Sequence, residues 1–162
     1  MKTVALLLIG CLWLCVFGCS GIDARNDPTE DYVSVPLPLS EEISRVTVIV
    51  HGRNGLVHGK WFRSIDGTWE NNIESPLGGK WAYGMVQEDV QPALDALHQI
   101  GDWKQVDEAF AKNLKANVTE DSSRFDALFV QTKTRSLVRV FARDHKVPNS
   151  EWGAFVSRFL GE

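Results

Sequence analysis

Beyond residue 19 the sequence contains no cysteine: Cys11, Cys15 and Cys19 are its three, and all lie near the start of the 162-residue chain. Downstream of Cys19 an intramolecular disulfide is excluded, so stability there comes from packing and does not depend on redox state. A zinc site there would also have to be built without thiolates. A membrane-spanning run is missing as well. The apolar stretch from Val4 to Phe17 covers 14 residues, against about 20 for a helix that crosses a bilayer. Excess positive charge is absent. Lys2 is one of 17 basic residues, and the remaining 16 face 21 acidic ones, a balance that argues against a nucleic-acid partner. There is no internal repeat, no Gly-x-Ser-x-Gly elbow and no cofactor-binding motif, so no cofactor is expected. Acidic residues are scattered, and no spacing singles out two of them for acid–base work.

What is present begins at the N-terminus. One early charge, Lys2, precedes the apolar stretch, which ends in Val16-Phe17-Gly18-Cys19. These are the length and flanks of a cleaved signal. The boundary resembles the lipobox of bacterial lipoproteins. Leu8-Ile9-Gly10-Cys11 offers a rival match, but its apolar segment is too short. The resemblance implies that residues 1–18 are a signal peptide. Cys19 would then carry a diacylglycerol on sulfur and an amide-linked acyl chain such as palmitate. Ser20 follows the cysteine in place of the Asp that marks inner-membrane retention in enterobacterial lipoproteins. By that likeness the address is the periplasmic face of the outer membrane rather than the inner membrane.

Residues 19–44 read as a lipidated N-terminus and flexible tether. Pro28, Pro36 and Pro38 and acidic residues such as Asp23, Asp27, Glu30 and Asp31 disfavour a packed structure. A coil of that length reaches about 25–30 Å. The stretch Tyr32–Leu39 could instead serve as a partner-binding strand.

Residues 45–162 read as one globular domain. Val46, Val48 and Val50 alternate with Thr47, Ile49 and His51, a strand pattern. Asn54-Gly55 and Asp66-Gly67 are tight-turn signals, giving strands over 45–52, 56–65 and 68–74. The first turn pairs Arg53 with Leu56 and sets His51 opposite His58. The second pairs Ile65 with Thr68 and puts Trp69 and Ile73 opposite the valine face. Trp81, Tyr83 and Met85 suggest a fourth strand. Val90, Leu94 and Leu97 form a helical stripe starting near Asp89 to Gln91, since Pro92 belongs in a first turn. Trp103, Val106, Phe110 and Leu114 repeat the stripe. A hairpin over Arg124–Arg143 turns near Lys133–Arg135, and a last helix follows Pro148 with Trp152, Phe155 and Phe159 on its apolar face. The expected fold is α+β: an antiparallel meander, two helices, a β-hairpin and a C-terminal helix, with the helices against one face.

Several residues stand out. His51 and His58, as cross-strand neighbours, are weak candidates for a shared metal with Glu70 or Glu74. Trp69 and Trp81, on the second face or in the Gly-rich segment, are candidate anchors for a partner. Arg135, Arg139 and Arg143 alternate beside Leu137 and Phe141, a mixed cationic and apolar strip suited to an acidic partner. Val48-Ile49-Val50-His51-Gly52 resembles the entry to the oxyanion loop of α/β-hydrolases, without that family's nucleophile elbow. The order of elements resembles the emfourin family, inhibitors of thermolysin-like metalloproteases, over Arg45–Leu56, Val90–Ile100, Arg124–Arg143 and the closing helix. No inhibitory residue carries over. The functional expectation is a membrane-anchored, non-catalytic binding lipoprotein facing the periplasm, of inhibitor or immunity type, with a protein or another envelope component as partner. A small envelope hydrolase and a structural component of an envelope assembly are the alternatives.

Overall fold

The alternation that begins at Val46 forms the centre of an antiparallel sheet. The computed structural model describes residues 27–52, 55–74, 80–118, 125–142 and 155. Among these, β1 (Ser34–Val35), a 3-10 turn (Ser40–Glu42), β2 (Arg45–Gly52), β3 (Gly55–Arg63), β4 (Trp69–Glu74) and β5 (Lys80–Met85) lead into α1 (Gln87–Gln99). Then follow β6 (Trp103–Val106), α2 (Glu108–Val118), β7 (Phe125–Gln131) and β8 (Ser136–Ala142). The eight described strands form one sheet in the order β1-β6-β8-β7-β2-β3-β4-β5. The fold is mixed α+β.

The helices do not share a face. Val46, Val48, Leu128, Val130 and Leu137 point toward α1 and pack with its Val90, Leu94 and Leu97. Ile49, Ala127, Phe129 and Val138 point the other way and pack with Ala111, Leu114 and Val118 of α2. The central strands are buried on both sides, which explains why β7 carries a nearly continuous apolar run. The stripe from Trp103 to Leu114 misled for the same reason. Trp103 and Val106 lie on the short strand β6 and enter opposite cores. Asp107 then starts α2, its carboxylate accepting from the Phe110 N–H at 2.7 Å, the work of an N-cap. Helix α1 begins at Gln87, ahead of the expected start, and holds Pro92 inside it.

Two registers differ from the sequence expectation. β2 and β3 close with Gly52 opposite Gly55 and set His51 opposite Leu56 and Ile49 opposite His58. The slip of two residues keeps every side chain on its face. Between β3 and β4 the loop is one residue longer than expected. Gly67 N–H reaches Ser64 O at 3.0 Å and Ser64 N–H reaches Thr68 O at 2.7 Å, with Gly67 at φ 89°. This is a type I turn followed by a left-handed glycine. The odd residue flips β4, so Trp69 and Ile73 join the valine face. The β7–β8 turn, residues 132–135, lacks glycine. Thr132 Oγ1 takes that role by accepting from the N–H groups of Thr134 and Arg135 at 3.3 and 3.0 Å.

Residues 27–44 are not a free tether. Thr29 is buried and Asp27 Oδ1 accepts from its N–H and hydroxyl at 2.8 and 2.6 Å. Tyr32 lies on Phe110 with ring centroids 4.5 Å apart. β1 pairs with β6, Ser34 opposite Lys104 and Val35 opposite Trp103, and Pro36 ends the strand because it has no N–H to donate. Val35, Leu37 and Ile43 pack into the α1-side core. Four apolar side chains at Tyr32, Val35, Leu37 and Ile43 outweigh the prolines and acids that signalled disorder. Most of the C-terminal helix expected after Pro148 lies outside the described residues. Phe155 is described, is helical, and is fully buried in the α1-side core.

Candidate functional site

The antiparallel pairing brings the starts of β2, β4 and β8 and the ends of β3, β5, β6 and β7 to one end of the sheet. Two open grooves lie there on either side of the 132–135 turn. One, of ≈ 490 Å³, runs between that turn and residues 105–108. The other, of ≈ 810 Å³, runs between it and residues 41–44 and 63–67. Lys133 and Arg135 line both. Arg63 ties the second groove together, donating to Glu41 O at 3.1 Å and Gly67 O at 3.4 Å. Ile65 lines that groove and is fully exposed.

Of the arginine strip expected on the second hairpin, only Arg135 has a described place on an open surface. Arg139 is committed elsewhere. Its Nη1 lies 3.0 Å from Asp102 Oδ2, and its guanidinium sits 5.2 Å from the Phe141 ring centroid. Leu137, between Arg135 and Arg139, is fully buried. Among the described residues, the strip from Leu137 to Phe141 is not a free binding face, because β8 lies between β6 and β7 and turns this side toward the α1 core. Arg143 falls outside the described residues. Trp69 is also removed from the surface. It has no exposed area and its Nε1 donates to Gln87 Oε1 at 2.9 Å, since the flip of β4 turns it inward. The backbone of Trp81 pairs with Ile73, and its side chain lies outside the described set.

Asp102, at φ 60°, gathers three partners. Besides Arg139 it holds Lys104 Nζ at 3.1 Å and accepts from Ser34 Oγ at 2.9 Å. Partial burial pushes its carboxyl up. Hydrogen bonds from Lys104 and Ser34 and the charges of Arg139 and Lys104 outweigh that, and its pKa falls below the ordinary value. A depressed carboxylate stabilises the fold above the unfolded pKa, and that stability is lost as pH falls through the folded value. Asp102→Asn, which tolerates the left-handed backbone, should cost about 1 kcal/mol at pH 7 after solvent screening. The difference from wild type should vanish in acid below the carboxylate range. Urea midpoints at the two pH values measure both.

His51 and His58 are diagonal rather than opposite, because the β2–β3 register slides by two. His51 Nδ1 lies 2.9 Å from Asp126 Oδ1, and the His51 N–H reaches the same oxygen at 3.0 Å. Nε2 of both histidines is buried without a hydrogen-bond partner among the described residues. Burial and Lys60 lower the His58 pKa, Lys115 adds to this, and Glu74 opposes it. No three His, Cys, Asp or Glu side chains among the described residues are grouped to hold a metal.

One cluster escaped the sequence reading. Arg45 and Lys60 stand on the α2 side of the sheet, diagonal across β2 and β3, a separation of about 7–8 Å between such positions. Lys115 of α2 joins them, its Nζ 4.7 Å from the centroid of Phe129, which pairs with the buried Thr47 between Arg45 and Ile49. Burial and then the charges of Arg45 and Lys60 hold the Lys115 ammonium below the usual lysine range, against a smaller opposite effect of Glu108. Arg45 and Lys60 share parity under the true register, and that was the available signal. Lys115 belongs to another element, and only packing brings it over.

The described residues thus define a two-sided α+β domain whose candidate surfaces are open: a grooved sheet end and a cationic patch beside α2. In comparisons with known proteins, no family model, no curated protein and no solved structure matches this chain.

Proposed function

We propose that the protein is a lipid-anchored binding module of the bacterial cell envelope, held on the periplasmic face of the outer membrane, that engages a protein or another envelope component without catalysis. The observation that carries this reading is how early the packed chain begins. Thr29 is already buried and Tyr32 already stacked on Phe110. With Cys19 as the lipidated residue, Asp27 stands at most about 25–30 Å from the anchor, the fully extended limit for that length of chain. A domain held that close works on partners at the membrane surface.

The grooved end of the sheet is the contact surface. Nothing in type I turn chemistry asks for isoleucine at the first central position, where proline is the favoured residue. Ile65 sits there fully exposed, between Arg63 and the groove shared with Arg135. An exposed apolar tip beside Arg63 and Arg135 supplies the apolar and guanidinium contacts that protein interfaces favour.

Two changes test the reading. Cys19→Ser should leave the precursor unprocessed or release the protein from membranes. Normal processing with retained membrane attachment overturns the anchor. A photocrosslinking residue in place of Ile65 should give a discrete adduct in living cells, lost at least tenfold when Arg135→Glu is added. A crosslink pattern no different from one at Asp95, on α1, overturns the surface.

A further inference from the structure

We propose that the Arg45–Lys60–Lys115 cluster binds a phosphate group, either free phosphate or the phosphomonoester of a lipid headgroup. The three side chains come from β2, β3 and α2, so the site is assembled by tertiary packing and not by one basic run. They share one side of the sheet, as the strand register and the seat of Lys115 over Phe129 require. Neither the Lys60 nor the Lys115 side chain forms a hydrogen bond or ion pair with a described residue, and the Arg45 guanidinium has only the side-chain oxygen of Gln131 at 3.5 Å. On β4, Asn72 stands opposite Lys60, with Glu70 and Glu74 one step to either side. Those carboxylates stand on the same face, diagonal to Lys60, and bound the patch on its β4 flank, while Arg45 and Lys115 extend it toward β7.

The arrangement costs stability. Lys115 is half-buried beside two like charges, and the Phe129 ring face offsets only part of that cost. Groups kept in such a state at the expense of the fold mark functional sites. Glu70 and Glu74 flank only Lys60, and Glu108 offsets only part of the repulsion on Lys115, so the Arg45–Lys115 end keeps cationic charge that an anion can neutralise. A dianionic phosphate fits it, with a fork from Arg45 and point charges from the lysines.

The test is thermal unfolding of the full processed chain in neutral detergent. Inorganic phosphate at about 5 mM, below the range in which excluded salts stabilise proteins generally, should raise the melting temperature by several degrees over potassium chloride of equal ionic strength. Lys60→Met with Lys115→Met should melt higher than wild type without phosphate and show no phosphate shift. Phosphatidic acid doped into the micelles, compared with phosphatidylcholine, separates the sources: a shift with the lipid alone assigns a headgroup, and a shift with both shows that the phosphate group suffices. No shift from either phosphate source, or an undiminished shift in the double variant, overturns the proposal. Should the double variant fail to fold, Lys60→Gln at a half-exposed strand position must alone reduce the shift at least threefold, and an unchanged shift there overturns it equally.

Discussion

Trp69→Ala is expected to cost the fold about 3–5 kcal/mol, the range for emptying a fully buried aromatic site. Against a total stability of about 5–15 kcal/mol for a natural domain, that leaves a marginal protein. Trp69 opens β4, has no exposed surface and sits in the α1-side core with Trp61 and Val46. It also does a second job. Val86, which precedes α1, offers no side-chain cap, and the first helical residue is held instead through Trp69 Nε1 to Gln87 Oε1 at 2.9 Å. Gln87 in turn donates to Gln91 and Gln91 to Asp95, each at 2.8 Å. Trp69→Phe keeps most of the packing and loses the hydrogen bond, so it should cost about 1–2 kcal/mol. Urea unfolding with an unchanged m-value reads both. A loss under 1 kcal/mol for Trp69→Ala would mean that the indole faces outward and that the β3–β4 register is wrong.

That register is also where the sequence was least legible. The alternation of β2 and the stripe of α1 are periodic signals long enough to survive any neighbour. Register depends on loop length. Asp66-Gly67 reads equally as a two-residue turn or as the end of a three-residue one, and a single residue decides whether Trp69 is core or surface. The same difficulty displaced Trp69 from the list of exposed anchors and broke the His51–His58 pairing. β6 failed differently. Trp103 and Val106 are three apart, a helical spacing. On a strand with helices over both faces they enter two separate cores, and no local pattern announces that both faces are covered. In residues 27–44 composition and position point in opposite directions. Prolines and acids dominate the count, while Tyr32, Val35, Leu37 and Ile43 supply the contacts. The proposed anchor at Cys19 rests on a linear sequence pattern and not on the fold. Of the Arg45–Lys60–Lys115 patch, strand parity links only Arg45 with Lys60, and Lys115 joins them through packing.

Trp103 should behave unlike Trp69 under the same pair of substitutions. It is 2 % exposed, and its strand carries β1 on one side and β8 on the other. Trp103→Ala should therefore cost about 3–5 kcal/mol. It should also free the segment ahead of Ser40, since Val35 pairs with Trp103 directly. Limited proteolysis ought to cut between residues 27 and 39 in that variant well before the rest of the domain. Phenylalanine at this site is a different matter. Trp103 Nε1 is buried without an acceptor among the described residues, and an unsatisfied buried donor costs about 1–3 kcal/mol. Trp103→Phe removes that donor while leaving a small void, so the two effects nearly cancel and the urea midpoint should stay close to wild type. The contrast between the two tryptophans is the diagnostic: phenylalanine costs stability at Trp69, where the indole N–H has a partner, and is nearly neutral at Trp103, where it has none. Equal losses at both sites would show that indole volume, and not the hydrogen bond to Gln87, anchors α1 to the sheet.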